Sequence, residues 1–287
     1  MRRTDLAGSS ELSTNDLLGL RDAILPITSE LGAWAQARSD DNYLGRGGVE
    51  VGFKSSPKDL VTSADLEVQR RLVTALGALA EGFGFMGEEE GLASYDTEVP
   101  LWVIDPIDGT HNFVRNYPGF CIVVTLVHRG EVVLAVVFDA ATGLTYSAVR
   151  GGGAWRHARG VEGLGHERIS VSDKTDFAGA MVSTGFTDKT STDPKTLATF
   201  NKLVALSAGL RVSGSAARDA GFVAAGKSDL YWQAGIRPWD VAPSLCLVRE
   251  AGGAVELRFE GDDWLSATAI EIFSGTKDLV VAGLALG

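Results

Sequence analysis

The sequence predicts an α+β fold in two parts that share an interface. Three observations predict it. Two N-terminal segments carry apolar residues at three- and four-residue spacing, a β-rich block runs from residue 83 to about 160, and beyond residue 179 strands and helices alternate. Residues 1–160 are expected to form an N-terminal α+β subdomain and residues 161–287 a C-terminal α/β subdomain. At 287 residues, one large domain or two closely packed subdomains are both admissible.

The elements follow in chain order. Residues 13–40 predict a helix through Leu17, Leu20, Ile24, Ile27, Leu31 and Trp34, with an N-cap in "STND" and Pro26 as a point for a kink. A glycine-rich loop, "YLGRGGVEVGFKSSPKD", leads to a second helix in "SADLEVQRRLVTALGAL", with Ser63 as the expected N-cap. "FGFMGEEEG" predicts a short strand ending in acids, and "LWVI" a buried strand. The run from "FCIVVTLV" to "GGGAWRH" predicts three or four strands joined by tight turns at "RG" and "ATG". After the Gly/His-rich 159–167, strands are expected at 179–184, 210–213, 229–233, 254–258 and 270–274. Helices are expected at 194–208, 215–226 and 239–251.

Composition narrows the function. Against 37 acidic residues stand 26 Lys and Arg, a net charge of −11, which implies no broad basic surface for nucleic acid or an anionic membrane. Cys121 and Cys246 lie in apolar surroundings and read as buried reduced thiols. "MRRTDLAGSSELSTND" has no apolar h-region, so a signal peptide is not expected. No stretch approaches the ~20 apolar residues of a membrane span. These features predict a cytoplasmic protein with a short disordered start.

The chemistry lies in acids at strand ends. In "LWVIDPIDGTHNF", Pro106 fixes its own φ and biases Asp105 toward extended geometry, after which the chain turns. Asp105 and Asp108 can then point to one side, with the Ile107 carbonyl free between them; carboxylates and carbonyls are the donors hard cations take. Gly109 permits close backbone approach, and Thr110 can cap the following segment, whose free N–H groups favour an anion. A strand-end turn with solvated acids is the plain alternative. Glu88-Glu89-Glu90, Asp65 and Asp240 shift the balance, because clustered acids repel one another unless a cation is present. Taken singly, the glutamates read as a solvated loop and Asp240 as a helix N-cap. The four histidines show no zinc-like spacing, so the donor set selects Mg²⁺ or Mn²⁺.

Together, "KSSPKDLVTSADLEVQ", "GEEEG", "WVIDPIDGTHNF" and "PWDVAPSLCLVREAGG", in this order, resemble the inositol monophosphatase family of Mg²⁺-dependent, lithium-sensitive phosphatases. The resemblance covers roughly residues 14 to 285. It implies a layered α-β-α-β-α sandwich, shared with the fructose-1,6-bisphosphatase type, and commonly a homodimer. It implies two or three Mg²⁺ per site: one held by Glu88, Asp105 and the Ile107 carbonyl, another by Asp105, Asp108 and Asp240, and a weaker third near Glu88 through water. Glu89 matches a supporting acid, Asp65 and Thr110 the pair that activates the attacking water, and Gly109 and Thr110 the phosphate seat. Lys54, Asp59 and Thr62 match a mobile loop. Residues 211–217, with Ser215, Ala216 and Ala217, match the segment lining the alcohol side, and Li⁺ is an expected inhibitor.

The activity implied is hydrolysis of inositol 1-phosphate or a similar small polyol phosphate. One residue departs from the pattern: Gln233 stands where inositol-processing members usually carry a glutamate. A neutral amide both donates and accepts, so the alcohol stays open, with Arg218 and Arg237 as further candidates. Histidinol phosphate, fructose 1,6-bisphosphate and adenosine 3′,5′-bisphosphate are the alternative substrates. A non-catalytic regulatory binding protein is the alternative of a different class.

Overall fold

The computed structural model describes residues 11–54, 56, 60–89, 99–158 and 165–286. The expected disordered start therefore lies outside the described residues, as do Asp59, Glu90 and most of the 159–167 segment.

In chain order the elements are α1 (Thr14–Tyr43), the antiparallel pair β1 (Val51–Phe53) and β2 (Leu60–Thr62), α2 (Ser63–Leu79), β3 (Gly84–Gly87), β4 (Leu101–Asp108) and α3 (Thr110–Val114). Four strands follow: β5 (Cys121–His128), β6 (Glu131–Asp139), β7 (Leu144–Val149) and β8 (Gly153–Ala158). Then come β9 (His166–Ile169), β10 (Met181–Thr184), α4 (Pro194–Leu206), β11 (Gly209–Val212), α5 (Ala216–Ala224), β12 (Leu230–Ile236) and α6 (Pro238–Glu250). β13 (Ala254–Phe259), β14 (Ile270–Gly275) and α7 (Lys277–Leu284) close the chain.

β3 to β9 form a seven-stranded sheet in sequential order, antiparallel except for the parallel β3–β4 pair. The second sheet is ordered β11-β10-β12-β14-β13. α1 and α2 cover one face of the first sheet, α5 and α6 contact both sheets, and α4 and α7 pack on the second. This is the five-layer α-β-α-β-α sandwich. The central core explains the stacking. Val123, Ala135 and Tyr146 of the first sheet, Ala217, Val241 and Leu245 of the middle helices, and Tyr231 and Ile272 of the second sheet belong to one buried cluster. A second cluster, with Leu17, Ile24, Val68, Trp102, Phe113 and Phe120, seals α1 and α2 to the opposite face. Each such large apolar side chain contributes roughly 1.5–3 kcal/mol on burial.

Several local outcomes differ from the periodicity reading. α1 runs without interruption through Pro26, and the Thr28 and Ser29 hydroxyls turn back onto the Leu25 and Pro26 carbonyls. The N-cap of α2 is Thr62 rather than Ser63. Its hydroxyl meets the backbone N–H of Ala64 and Asp65, while the Asp65 carboxylate accepts the Thr62 N–H, completing a reciprocal capping box. β1 and β2, within and just after the expected glycine-rich loop, and α3, β9 and α7 are additional elements. Both cysteines are buried and free, as expected. Among the described residues no helix is long and apolar enough to cross a membrane.

Candidate functional site

The site starts from an irregularity in β4. All eight residues of this strand are buried. Its pairing with β5 runs regularly from Leu101↔Val127 to Asp105↔Val123, then shifts, so that Asp108 lies opposite Cys121. Three steps on β4 thus face two on β5. Pro106, which has no N–H to offer a ladder, sits inside this bulge. Asp105 Oδ1 accepts the Ile107 N–H at 3.1 Å, fixing the turn. Gly109 then adopts φ 98°, and a Cβ there would lie 3.0 Å from the Gly214 carbonyl oxygen and 3.1 Å from that of Gly119, so only glycine fits.

Asp240 arrives from the other side of the sandwich. It is not the N-cap of α6 but the third residue of its first turn, where its carboxylate accepts the Arg237 N–H at 2.7 Å. One oxygen each of Asp105, Asp108 and Asp240 lies within 4.8 Å of the others. Asp108 is clamped by the start of α5: it accepts the Ser215 hydroxyl at 2.7 Å and the backbone N–H groups of Ala216 and Ala217 at 3.3 and 2.6 Å.

The first helix layer supplies Asp65. One of its oxygens takes the Thr62 N–H and hydroxyl at 2.8 and 2.5 Å. The other lies 3.4 Å from the Thr110 hydroxyl, which is 3.2 Å from the Ile107 carbonyl oxygen. Lys54 Nζ bridges Glu88 at 2.8 Å and Glu89 at 2.7 Å, and the Glu89 N–H is held by Gln69. Burial opposes that ammonium charge, but Glu88 and Glu89 outweigh it and hold Lys54 well above its usual range.

The electrostatics are those of acids crowded out of water. Burial, then the charges of Glu88, Asp108 and Asp240, pushes Asp105 well above the carboxylate range. Burial and Asp108 do the same to Asp240. Asp108 is pushed up to about 6 by burial, against the pull of its bonds to Ser215 and Ala217. Burial raises Asp65 to about 7, with Thr62 opposing and Glu88 and Glu89 adding to the rise. Such a set is relieved by cationic charge, and its all-oxygen donors suit a hard divalent cation.

The structure therefore brings Asp65, Glu88, Glu89, Asp105, Ile107, Asp108, Gly109, Thr110, Asp240 and Lys54 into one region. Ser215, Ala216 and Ala217 sit there too, holding Asp108. Gln233 lies on β12, where its Oε1 accepts the Tyr231 hydroxyl at 2.9 Å. Tyr231 is fully buried, and Asp219, Asp240 and Asp108 are close enough to discourage its ionisation. Arg237 is bound to the Thr268 carbonyl at 2.6 Å, and Arg218 to Asp139 at 3.3 Å. Sequence reasoning missed Asp219 and Tyr231. A lone acid inside a helix and a tyrosine in a strand carry no signal until the fold buries them together.

A family model described as the inositol monophosphatase family matches residues 22–282. The chain belongs to the inositol monophosphatase family. An inositol-1-monophosphatase of Rhizobium meliloti is 36% identical over 206 residues, 71% of this chain and 74% of that protein. A protein named Nus factor SuhB from Xylella fastidiosa is 37% identical over 212 residues, 74% of this chain and 73% of that one. Among solved structures, an IMPase of Thermotoga maritima superposes with a TM-score of 0.75 at 32% identity, covering 93% of this chain and 97% of that chain. The sandwich and the β4 bulge are thus features of a family member.

Proposed function

We propose that this chain is a metal-dependent phosphomonoesterase that hydrolyses inositol 1-phosphate or a similar small polyol phosphate in the cytoplasm, as a homodimer. The observation that carries the reading is the convergence of Asp105, Asp108 and Asp240 beside the Asp65–Thr110 pair. The donors fit the cation the family implies, since every one is an oxygen and the carboxyls are starved of positive charge.

Glu88, Asp105 and the Ile107 carbonyl would hold one Mg²⁺, and Asp105, Asp108 and Asp240 a second. When bound, these ions supply Lewis acidity and charge neutralisation for phosphoryl transfer to water. The chain's own residues do the rest. Thr110 and Asp65 receive the proton of the attacking water, the Asp65 carboxylate lying 3.4 Å from the Thr110 hydroxyl. Gly109 and Thr110 present backbone N–H groups to the phosphate, and Lys54 brings a cation held between Glu88 and Glu89. Glu89 steadies Lys54. Gln233 reads the alcohol, with Ser215, Ala216 and Ala217 forming the adjoining wall.

Phosphate release from inositol 1-phosphate in the presence of MgCl₂ tests the reading. Asp105→Asn should abolish it while far-UV circular dichroism and the unfolding cooperativity stay native. Retained activity would sink the assignment. The 37% identity to a protein named Nus factor SuhB favours a second reading, a regulatory binding protein that keeps the fold without the catalysis. Wild-type protein inactive toward a panel of polyol, sugar and nucleotide monophosphates with Mg²⁺ would make that reading the leading one.

A further inference from the structure

A second cavity, of about 570 Å³, runs along α5 where it faces the β10–β11 edge of the five-stranded sheet. Its charge is unlike that of the rest of the molecule. Arg211, Arg218 and Lys227 line it against a single acid, Asp219, so the lining is net positive in a chain of net charge −11.

The three cations are not equally engaged. Arg218 is tied to the buried Asp139 carboxylate at 3.3 Å. Arg211 donates to the Leu210 carbonyl, and Lys227 Nζ to the Tyr146 hydroxyl at 3.2 Å. Neither has a carboxylate partner among the described residues. Burial, and after it the charge of Arg156, holds the Lys227 ammonium below its usual range, against the pull of Asp139. Lys227 also lies 5.0 Å from the Phe222 ring, and Met181 and Pro118 add apolar wall beside it. The polar floor is already satisfied internally. The Ser213 hydroxyl donates to Asp219 at 2.8 Å, and Ser183 and Ser228 pair at 2.9 Å.

Only one end of the cavity approaches the acid cluster. Ser213, Arg218 and Asp219 of its lining lie within a turn of Ser215, which holds Asp108, whereas Lys227 lies beyond the last turn of α5. Nine helical residues rise about 13 Å. Without a cation the acid cluster repels anions, whereas this cavity attracts them.

We propose that this cavity binds a small organic oxyanion, with a phosphate, phosphonate or carboxylate set between Arg211 and Lys227 and a ring or short apolar body against Phe222. Charge-assisted bonds from these two exposed cations fix the head group, and the apolar wall selects the body. The inference does not depend on the phosphatase reading.

Phenylphosphonate, which is not a phosphate ester, is the test probe, titrated by calorimetry into the full chain in EDTA so that the acid cluster carries no cation. Benzoate and benzyl alcohol form parallel arms. Phenylphosphonate or benzoate should bind saturably in the millimolar range or tighter, the tighter of the two naming the head group, and benzyl alcohol should not. The double variant Arg211→Gln/Lys227→Met, at two exposed positions, should weaken binding by about tenfold or more. Arg211→Lys/Lys227→Arg should restore it. Absence of binding in EDTA, equal binding of benzyl alcohol, or unchanged affinity in a double variant with native unfolding behaviour would each overturn the proposal.

Discussion

Asp108 accepts three hydrogen bonds from the start of α5, whereas Gln233 receives one, from the Tyr231 hydroxyl. The contrast extends outward from both residues. Around Asp108, a strand bulge, a left-handed glycine and two helix starts fix the positions of four acids. Around Gln233, the constraint is space: a side chain at Gly185 would come within 2.4 Å of it, so the amide has room only because position 185 is bare. The proposed phosphate chemistry would tolerate little displacement, and the acid side is held by more bonds than the Gln233 side. The Gln233 side can change its hydrogen-bonding character by one substitution without disturbing the bulge. A fold constructed this way can keep one reaction and alter the alcohol it accepts.

The comparison can be broken at either side, and the expected effects differ in size. Asp240→Asn on the acid side should lower Mg²⁺-dependent phosphate release by ~100-fold or more, because a charged oxygen donor is lost. A tenfold loss or less, measured by initial rates at saturating Mg²⁺, would place Asp240 outside the reacting centre. Gln233→Glu should raise kcat/KM for inositol 1-phosphate relative to p-nitrophenyl phosphate by about tenfold, with the generic substrate nearly unchanged. Equal changes in both would show that position 233 does not read the alcohol. Ser215→Ala removes the α5 N-cap, which accepts the Arg218 N–H, and one bond to Asp108. It should cost about 1 kcal/mol in urea denaturation and raise the Mg²⁺ concentration for half-activity a few-fold. A variant with wild-type stability would show that the two backbone N–H groups suffice.

Much of the fold was legible because its signals are local. Helical spacing marks α1 and α2, and the apolar run from Cys121 to Val137 marks β5 and β6 with the turn between them. Less legible elements have physical reasons. β9, "HERI", is a polar edge strand without alternation, defined by pairing with β8. α7 is only eight residues, too short for helical spacing to show, although Thr276, its N-cap, was a usable sign. Thr62 and Ser63 are adjacent hydroxyl residues, and only the Thr-x-x-Asp reciprocity with Asp65 separates them. In the site, the acids could be picked out because carboxylates at strand ends are unusual. Their support could not, since Ser215 and Ala217 meet Asp108 across more than a hundred residues of chain.

The central claim is that the buried acids form a divalent-cation site, and proton linkage tests it directly. Asp108 at about 6 and Asp105 and Asp240 raised above the usual range stand above the ~3.9 of an unfolded aspartate. The metal-free folded chain thus binds more protons than the unfolded chain. This contribution is fully present at low pH, and is lost as pH rises from the unfolded value through the folded one. A cation needs the deprotonated oxygens, so its binding must release those protons. Calorimetric titration of Mg²⁺ near pH 6, in two buffers of different ionisation enthalpy, measures the release. The account predicts net proton release near pH 6, and neither binding nor release in Asp105→Asn. Heat independent of the buffer near pH 6, or undiminished Mg²⁺ affinity in Asp105→Asn, would contradict it.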